Sequence, residues 1–542
     1  MKKAILVLGM TLTVGTIMAQ SAEDKKTKGW HLKDKSTDSI YGISLNKAYQ
    51  LVKGKKSKTV IVAVIDSGVD TTHEDLRDIL WHNAKEIPGN RIDDDKNGYA
   101  DDIYGWNFLG GKDGRNVNED SHEASRIYYQ YKNKFGSVAN AGALSAEDKK
   151  LYDLWQRAAN ERPGSSKEKI DVAGLKSFSV QMLSSDSILR VAMGTDEYTG
   201  KELEEFKPTE EPVKKAKDAF LGFMNANKAL ESMNQDFLHG FNTWLDGELQ
   251  KATQEEKAPK DFRTDIVKDN YNDFNDRWYG NSDVMADRSF HGTHVSGIIA
   301  GTRNNGAGVD GIADNVRIMA IRAVPDGDEH DKDIALAIRY AVDNGARIIN
   351  MSFGKGLSPE KRWVDEAVQY AASKNVLLIH AAGNEAQNID TTWNFPNPIY
   401  ASDNTKAPNW ISVGASSDAI LGSMVAPFSN YGKKQVDVFA PGVQIYSTIP
   451  GGNKYGYASG TSMAAPVVAG VAALILSYYP NLTAVQLKYI IETSANRLAE
   501  DVTKPGSKIE VPFAELSKTG AIVNAYEAMK LAATIKAKKK NK

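Results

Sequence analysis

The sequence contains no cysteine, which excludes a thiol nucleophile, a disulfide framework, a cysteine zinc site and a lipid-modified N-terminal cysteine. Excess charge of either sign is also lacking. There are 67 Lys and Arg against 69 Asp and Glu, a formal net charge of -2. A nucleic-acid partner would show as a basic excess, so none is expected. Internal repeats and low-complexity linkers are absent. Beyond the N-terminus no stretch reads as apolar enough to span a membrane. What remains is ordinary for a soluble globular protein, 41% hydrophobic and 25% charged. Its 542 residues suffice for one large core and an extra module.

The N-terminus is more specific. Met1, Lys2 and Lys3 form a short basic segment, residues 4–18 are apolar with only Gly and Thr as interruptions, and Ala19-Gln20 opens a polar stretch. This is the three-part form of a secretory signal peptide, and the apolar run is shorter than the ~20 residues a spanning helix needs. Cleavage after Ala19 puts the large Ile17 at the -3 position, and cleavage after Ala22 is an alternative. Residues 1–19 are thus expected to be a signal peptide. The mature chain is expected to be exported, periplasmic or secreted, without a membrane partner.

Residues 60–65 (VIVAVI) are a continuous, mostly β-branched run ending near a Gly turn, the mark of a strand buried on both faces. Similar runs at 316–324, 347–351, 376–380 and 410–415 alternate with helical spacing at 331–344 and 360–374. Strands alternating with helices predict an α/β fold, a doubly wound parallel sheet with helices on both faces. Residues 116–283 break the alternation. They carry helical patterns at 123–134, 146–162 and 212–252, separated by Pro- and Gly-containing breaks near 163–166 and 207–212. This stretch reads as an inserted, mainly helical module. It divides a discontinuous domain of residues 20–115 and 284–535, whose end is a packed helix. Residues 536–542 (KAKKKNK) read as a solvated basic tail.

Four residues stand in settings suited to serine-based acyl transfer. Such chemistry needs a hydroxyl, a base to take its proton, a carboxylate to hold the base, and donors for the developing oxyanion. Asp66 ends the VIVAVI strand, where parallel sheets place functional groups; alone, an Asp there is a turn or cap residue. His291 opens HGTHVSGIIAGT, with His294 as the alternative base one helical turn on. Ser462, in GTSMAAP before a long apolar run, would place its hydroxyl at a helix N-terminus, where free N–H groups favour negative charge; an N-cap is the equal alternative. Asn384, in AAGN after a buried strand, would serve as an oxyanion donor beside the Ser462 N–H, or as a turn residue.

In order, IDSGVD, HGTHVSG, AAGN and GTSMAAP resemble the signatures of the subtilisin-like serine protease family, and the Asp…His…Ser order is the family's. FSNYG at 428–432 and VFAPG at 438–442 support it. The resemblance covers about residues 55–110 and 285–530. It implies a subtilisin-like fold and a serine endopeptidase acting on proteins or peptides, with Asp66, His291 and Ser462 as triad and Asn384 as oxyanion donor, and no cofactor for catalysis. It also implies that Ser352, Phe353 and Gly354 line one side of the substrate pocket and Ala381, Ala382 and Gly383 the other, with a preference for large apolar side chains before the scissile bond. Two features depart from the family. Asp66 and His291 lie 225 positions apart rather than a few tens. The stretch from Gln20 to about Ser57 is too short for the usual inhibitory pro-domain and reads as part of the mature fold.

Residues 91–102 (RIDDDKNGYADD) cluster five carboxylates and an Asn around a Gly. Asp93, Asp95, Asn97, the Tyr99 carbonyl and Asp101 match ligand positions of a calcium loop. Position 12 is Tyr104 rather than Glu, which leaves the bidentate ligand to another residue such as Asp102. A structural calcium is the one metal expected; an acidic solvated turn is the alternative.

Overall fold

A computed structural model describes residues 28–535 except 139, 163–171, 197, 227–229, 231–233, 235–236, 239–240, 243–244, 246–257 and 288. The signal peptide, the basic tail and most of the stretch at 227–252 therefore lie outside the described residues. Strands β1 (Val60–Asp66), β2 (Gly105–Asn107), β3 (Val316–Arg322), β4 (Ile348–Met351), β5 (Leu377–Ala381), β6 (Trp410–Ser416) and β7 (Val438–Pro441) form most of one sheet. A hairpin of β8 (Ile445–Ile449) and β9 (Lys454–Ala458) follows, then β10 (Asn496–Arg497), β11 (Asp501–Thr503), β12 (Glu510–Pro512) and β13 (Ala521–Ile522). The nine-stranded sheet runs β10-β13-β7-β6-β5-β4-β1-β3-β2, and every pairing in it is parallel except β10 with β13.

The period-2 alternation of strand side chains divides each strand between two cores. Val62 and Val64 face one core while Ala63 and Ile65 face the other; Leu377 and Ile379 part from Leu378 in the same way. Because both cores are dry, the strands read as mostly apolar runs, as expected for a doubly wound sheet. The helices are α1 (Leu45–Leu51), α2 (Glu123–Phe135), α3 (Ala146–Glu161), α4 (Val172–Met193), α5 (Gly200–Glu205), α6 (Glu211–Ala226), α7 (Phe290–Ala300), α8 (Asp331–Asp343), α9 (Lys361–Ser373), α10 (Thr461–Tyr478), α11 (Ala484–Ser494) and α12 (Ala525–Thr534). Residues of α1, α7, α10, α11 and α12 fill one core, and residues of α8 and α9 the other.

The expectation that no later stretch is apolar enough to span a membrane fails for α10. It passes by length and composition, yet 89% of it is buried inside the protein. It is the central helix of a core, surrounded by apolar residues rather than lipid. Residues before β1 also belong to the fold: Trp30, Ile43, Leu45 and Ala48 are buried, and the Trp30 indole donates to the Val443 carbonyl at 2.9 Å.

Between Asp66 and His291 the described chain is largely helical, but it starts and ends on the sheet. Asn107 and Asn281 exchange backbone hydrogen bonds at 2.9 and 3.0 Å, and the Asn116 amide donates to Asp283 at 2.8 Å. Close ends let a long segment leave and rejoin without disturbing the strands. Helix α4 goes beyond the sequence reading, which placed no helix at 172–193. Helices α4–α6 enclose their own core of Met182, Leu189, Tyr198, Leu203, Phe220 and Met224, whereas Ala124, Ile127 and Ala158 of α2 and α3 pack on Leu357 of the sheet domain.

Candidate active site

Asp66 and His291 meet at the carboxyl end of β1, and Ser462 is hydrogen-bonded to Ser352 just past the carboxyl end of the neighbouring β4. Asp66 is the last residue of β1 and is buried; its Oδ1 accepts from the Ser67 N–H at 2.8 Å and lies 2.7 Å from His291 Nδ1. The approach depends on Gly292. A Cβ there would sit 2.2 Å from the Gly68 carbonyl oxygen and 3.1 Å from the Asp66 Cβ, so only glycine lets the first turn of α7 press against this loop. Arg322, buried at the end of β3, donates through Nε to the Ser67 carbonyl (3.0 Å) and through Nη2 to the Val117 carbonyl (2.7 Å). It thereby ties the loop after Asp66 to the start of the helical segment.

Two opposing effects act on His291. Burial disfavours the imidazolium, but the charge of Asp66 and its hydrogen bond outweigh burial and raise the pKa above its usual value of 6.5. His294 has no such partner. It is fully buried, its Nε2 meets the Gly456 carbonyl at 3.2 Å, and burial lowers its pKa to about 4. It is a packed residue three positions along the same helix.

Ser462 is the second residue of α10. Pro466, four residues on, has no N–H to donate to the Ser462 carbonyl. That carbonyl instead accepts from Ser352 Oγ at 3.0 Å, and Ser462 Oγ donates back to the Ser352 carbonyl at 3.1 Å. The hydroxyl is thus bonded to Ser352 rather than to His291. In substrate-free active sites such hydrogen bonds are often long and tighten only when substrate is present. Asn384 spends its carboxamide oxygen on the Thr461 N–H (2.8 Å) and hydroxyl (3.0 Å), which leaves its amino donors for the cleft.

Asn384, Thr461 and Ser462 border a cavity of about 830 Å³. Phe353, Gly354, Ala381 and Gly383 line it, as expected of pocket walls. Two expected wall residues lie behind the surface. Ser352 holds Ser462, and Ala382 is fully buried with its carbonyl accepting from Asn394 and Asn430, each at 2.9 Å. His122, Glu161, Asp328 and Trp393 also border the cavity. No motif marks them, because they reach it from α2, α3 and loops distant in sequence.

The acidic loop is rearranged relative to the sequence reading. Carboxylates of Glu86, Asp93 and Asp95 lie close enough for their oxygens to fall within 4.8 Å of one another. Glu86 was not anticipated; it precedes the loop and is buried. Asp101 spends its oxygens on the Gly89 and Arg91 N–H groups at 2.8 and 2.7 Å, and the Asn97 Oδ1 accepts from the Tyr99 N–H at 2.8 Å. Asp102 is buried and accepts from Asn83, Asn97 and Tyr340, sharing the Asn83 amide with Asp95. Glu86 also accepts from the Asp94, Asp95 and Asp101 N–H groups, Asp93 from those of Asn97 and Gly98, and Asp95 from that of Asn97. Their all-oxygen set fits a hard divalent cation such as calcium.

The subtilase family model (Peptidase_S8) matches residues 57–510. A thermophilic serine proteinase from Bacillus sp. (strain AK1) is 42% identical over 214 residues, 39% of this chain and 48% of that protein. A subtilisin from Bacillus pumilus is 41% identical over 216 residues, 39% of this chain and 72% of that protein. The match thus spans about half the length of the first relative (48%). A solved structure described as proteases from Pseudoalteromonas arctica PAMC 21717 aligns over 93% of this chain and 98% of that chain, at 20% identity and a TM-score of 0.45.

Proposed function

Because the chain belongs to the subtilase family, we propose that it is an exported serine endopeptidase that cleaves proteins or peptides through an acyl-enzyme on Ser462. The observation that carries this is the 2.7 Å contact of His291 Nδ1 with Asp66 at the end of β1, with Ser462 bonded to Ser352 past the end of the adjacent β4 and bordering a cavity with Asn384. In this reading His291 takes the Ser462 proton and returns it to the leaving amine. Asp66 holds the imidazole tautomer and offsets its charge. The Asn384 amide and the Ser462 N–H receive the oxyanion. An extended substrate would add to the backbone edges at Phe353–Gly354 and Ala381–Gly383.

The proposed organisation is a signal peptide at 1–19, a catalytic domain of residues 20–115 and 284–535, a helical module at 116–283 and a basic tail. Glu86, Asp93 and Asp95 would hold a structural calcium with no part in the chemistry. The reading is tested by cleavage of casein and of a peptide mixture by the mature chain beside Ser462→Ala. Loss by about 10⁶-fold with an unchanged melting temperature is expected, a magnitude borrowed from subtilisin's own triad. Equal cleavage by both proteins, or no fluorophosphonate labelling of Ser462, would remove it.

A further inference from the structure

The cavity beside Ser462 has walls of two origins. One comes from Phe353–Leu357 and the 381–385 turn of the sheet domain. The other comes from the helical segment: His122 and Ala124 at the start of α2, and Glu161, the last residue of α3. This second wall is fixed by packing. Leu357 is buried with Ala124, Ile127 and Ala158, and the Trp155 indole donates to the Tyr128 carbonyl at 3.1 Å, joining α3 to α2. Arg157, one turn before Glu161, donates to the Gly356 carbonyl at 3.2 Å and lies 5.0 Å from the Trp393 ring centre. Glu161 Oε2 lies 3.0 Å from where a Cβ on Gly356 would stand, so glycine at 356 leaves the room that the carboxylate occupies.

The charge on these walls is uneven. Carboxylates of Glu161, Asp328 and Glu385 border the cavity, against Lys355 and the titratable His122 among the described residues. Lys355 is already spent: its ammonium meets Glu123 at 2.7 Å, Asp331 at 2.9 Å and the Glu329 carbonyl at 2.7 Å, with its side chain 2% exposed. Asp328 lies 3.2 Å from His122, and Glu385 accepts from Asn430 at 2.6 Å. Glu161 has only a 3.5 Å contact from Arg157 to Oε1; its Oε2 accepts from none of the described residues. Glu161 is thus a carboxylate at the cavity rim, its side chain 42% exposed, and its unused acceptor capacity makes it half of an ion pair.

We propose that this cavity receives a Lys or Arg side chain from the residue before the scissile bond, and that Glu161, supplied by the helical segment, selects it. The inference rests on the endopeptidase reading for the identity of that residue, and it departs from the large apolar preference that the family resemblance implies. The helical segment then has a definite role, because it brings a charge to a pocket whose other side is built by the sheet domain.

The test separates binding from turnover. Full-length mature Ser462→Ala is titrated calorimetrically with two tetrapeptide amides that differ only in the last side chain, arginine or norleucine. The arginine peptide is expected to bind about 10-fold more tightly, the scale of one charge-assisted hydrogen bond. The ratio is expected to fall toward one in Ser462→Ala/Glu161→Gln and to be partly kept in Ser462→Ala/Glu161→Asp. Equal or tighter binding of norleucine, binding of neither peptide, or a ratio untouched by Glu161→Gln would overturn the proposal. Cleavage by the wild type is read separately. If the wild type cleaves no peptide while the arginine preference and its loss in Glu161→Gln are seen, the endopeptidase reading fails and the cationic pocket stands.

Discussion

The sheet domain and the helical segment use apolar residues in different ways. In the sheet domain the central strands β1 and β3–β7 are buried almost throughout, and the candidate catalytic residues sit where strands or helices end: Asp66 at the end of β1, Ser462 at the start of α10. In the segment, α4–α6 bury Tyr198, Phe220 and Met224 against one another, whereas α2 and α3 pack on Leu357 of the sheet domain and Val117, Ile266, Val267 and Tyr279 join one of its cores. The comparison teaches that length between Asp66 and His291 is not one feature. A near part of the segment is built into the pocket wall, while a far part is packed on itself. The candidate catalytic residues belong to one region, and the walls of the cavity that Ser462 borders come from both.

The sharpest break of that comparison is a substitution that touches chemistry alone. Asn384→Ala is expected to lower kcat by about 10²–10³-fold with little change in KM, a magnitude borrowed from subtilisin's own oxyanion asparagine. Steady-state kinetics with one peptide substrate checks it. A loss carried by KM instead would make Asn384 a substrate-binding residue and move the oxyanion donors elsewhere.

Next comes a pair of cavity-forming substitutions, one in each kind of core. Phe220→Ala removes a fully buried ring from the α4–α6 core and should cost about 3–5 kcal/mol there. Leu357→Ala, at the joint with α2 and α3, should cost about 2–5 kcal/mol. Calorimetry is expected to show Phe220→Ala shifting a transition that leaves peptide cleavage intact, while Leu357→Ala lowers cleavage as well as stability. If both shift a single transition equally, the far part is not independent and the division drawn above fails.

A smaller effect tests the acidic loop of the sheet domain. At calcium one hundred times its Kd, binding adds about 2.7 kcal/mol to folding. The mature chain is therefore expected to melt several degrees higher in millimolar calcium than in chelator, and Glu86→Gln/Asp93→Asn to lose that difference. A melting temperature indifferent to calcium would return the loop to an acidic turn held by its own backbone donors.

How far the sequence revealed this molecule follows the same division. Strands β1, β3, β4, β5 and β6 are legible because burial on both faces makes most of their residues apolar, with only Arg317, Asn350, His380 and Ser412 interrupting the runs. Asp66, His291, Asn384 and Ser462 are legible because each stands in a short local motif. Helix α4 is not, because its apolar residues form no single stripe: Val180 and Val191 are 66% and 83% exposed while Met182 and Leu189 are buried. β2, with only three residues, is too short for a period to show. Glu86 and Glu161 are illegible for another reason. Each is an ordinary carboxylate in sequence and acquires its setting only when distant chain is folded against it.

The smallest effect distinguishes two histidines three residues apart on α7. The base must be neutral to take the Ser462 proton, so activity is lost as pH falls through its pKa. For His291, Asp66 stabilises the imidazolium more than burial opposes it, and the pKa lies above 6.5. For His294, burial dominates and the pKa is about 4. The acid limb of kcat/KM is therefore expected to bend above pH 6.5 and to fall about tenfold per pH unit below the bend, as a single ionisation requires. Asp66→Asn should move that bend to lower pH while lowering the plateau, because removing the carboxylate leaves only the desolvation of the ring. A bend near pH 4, unmoved by Asp66→Asn, would give the base to His294 and make the bond between His291 and Asp66 a structural contact.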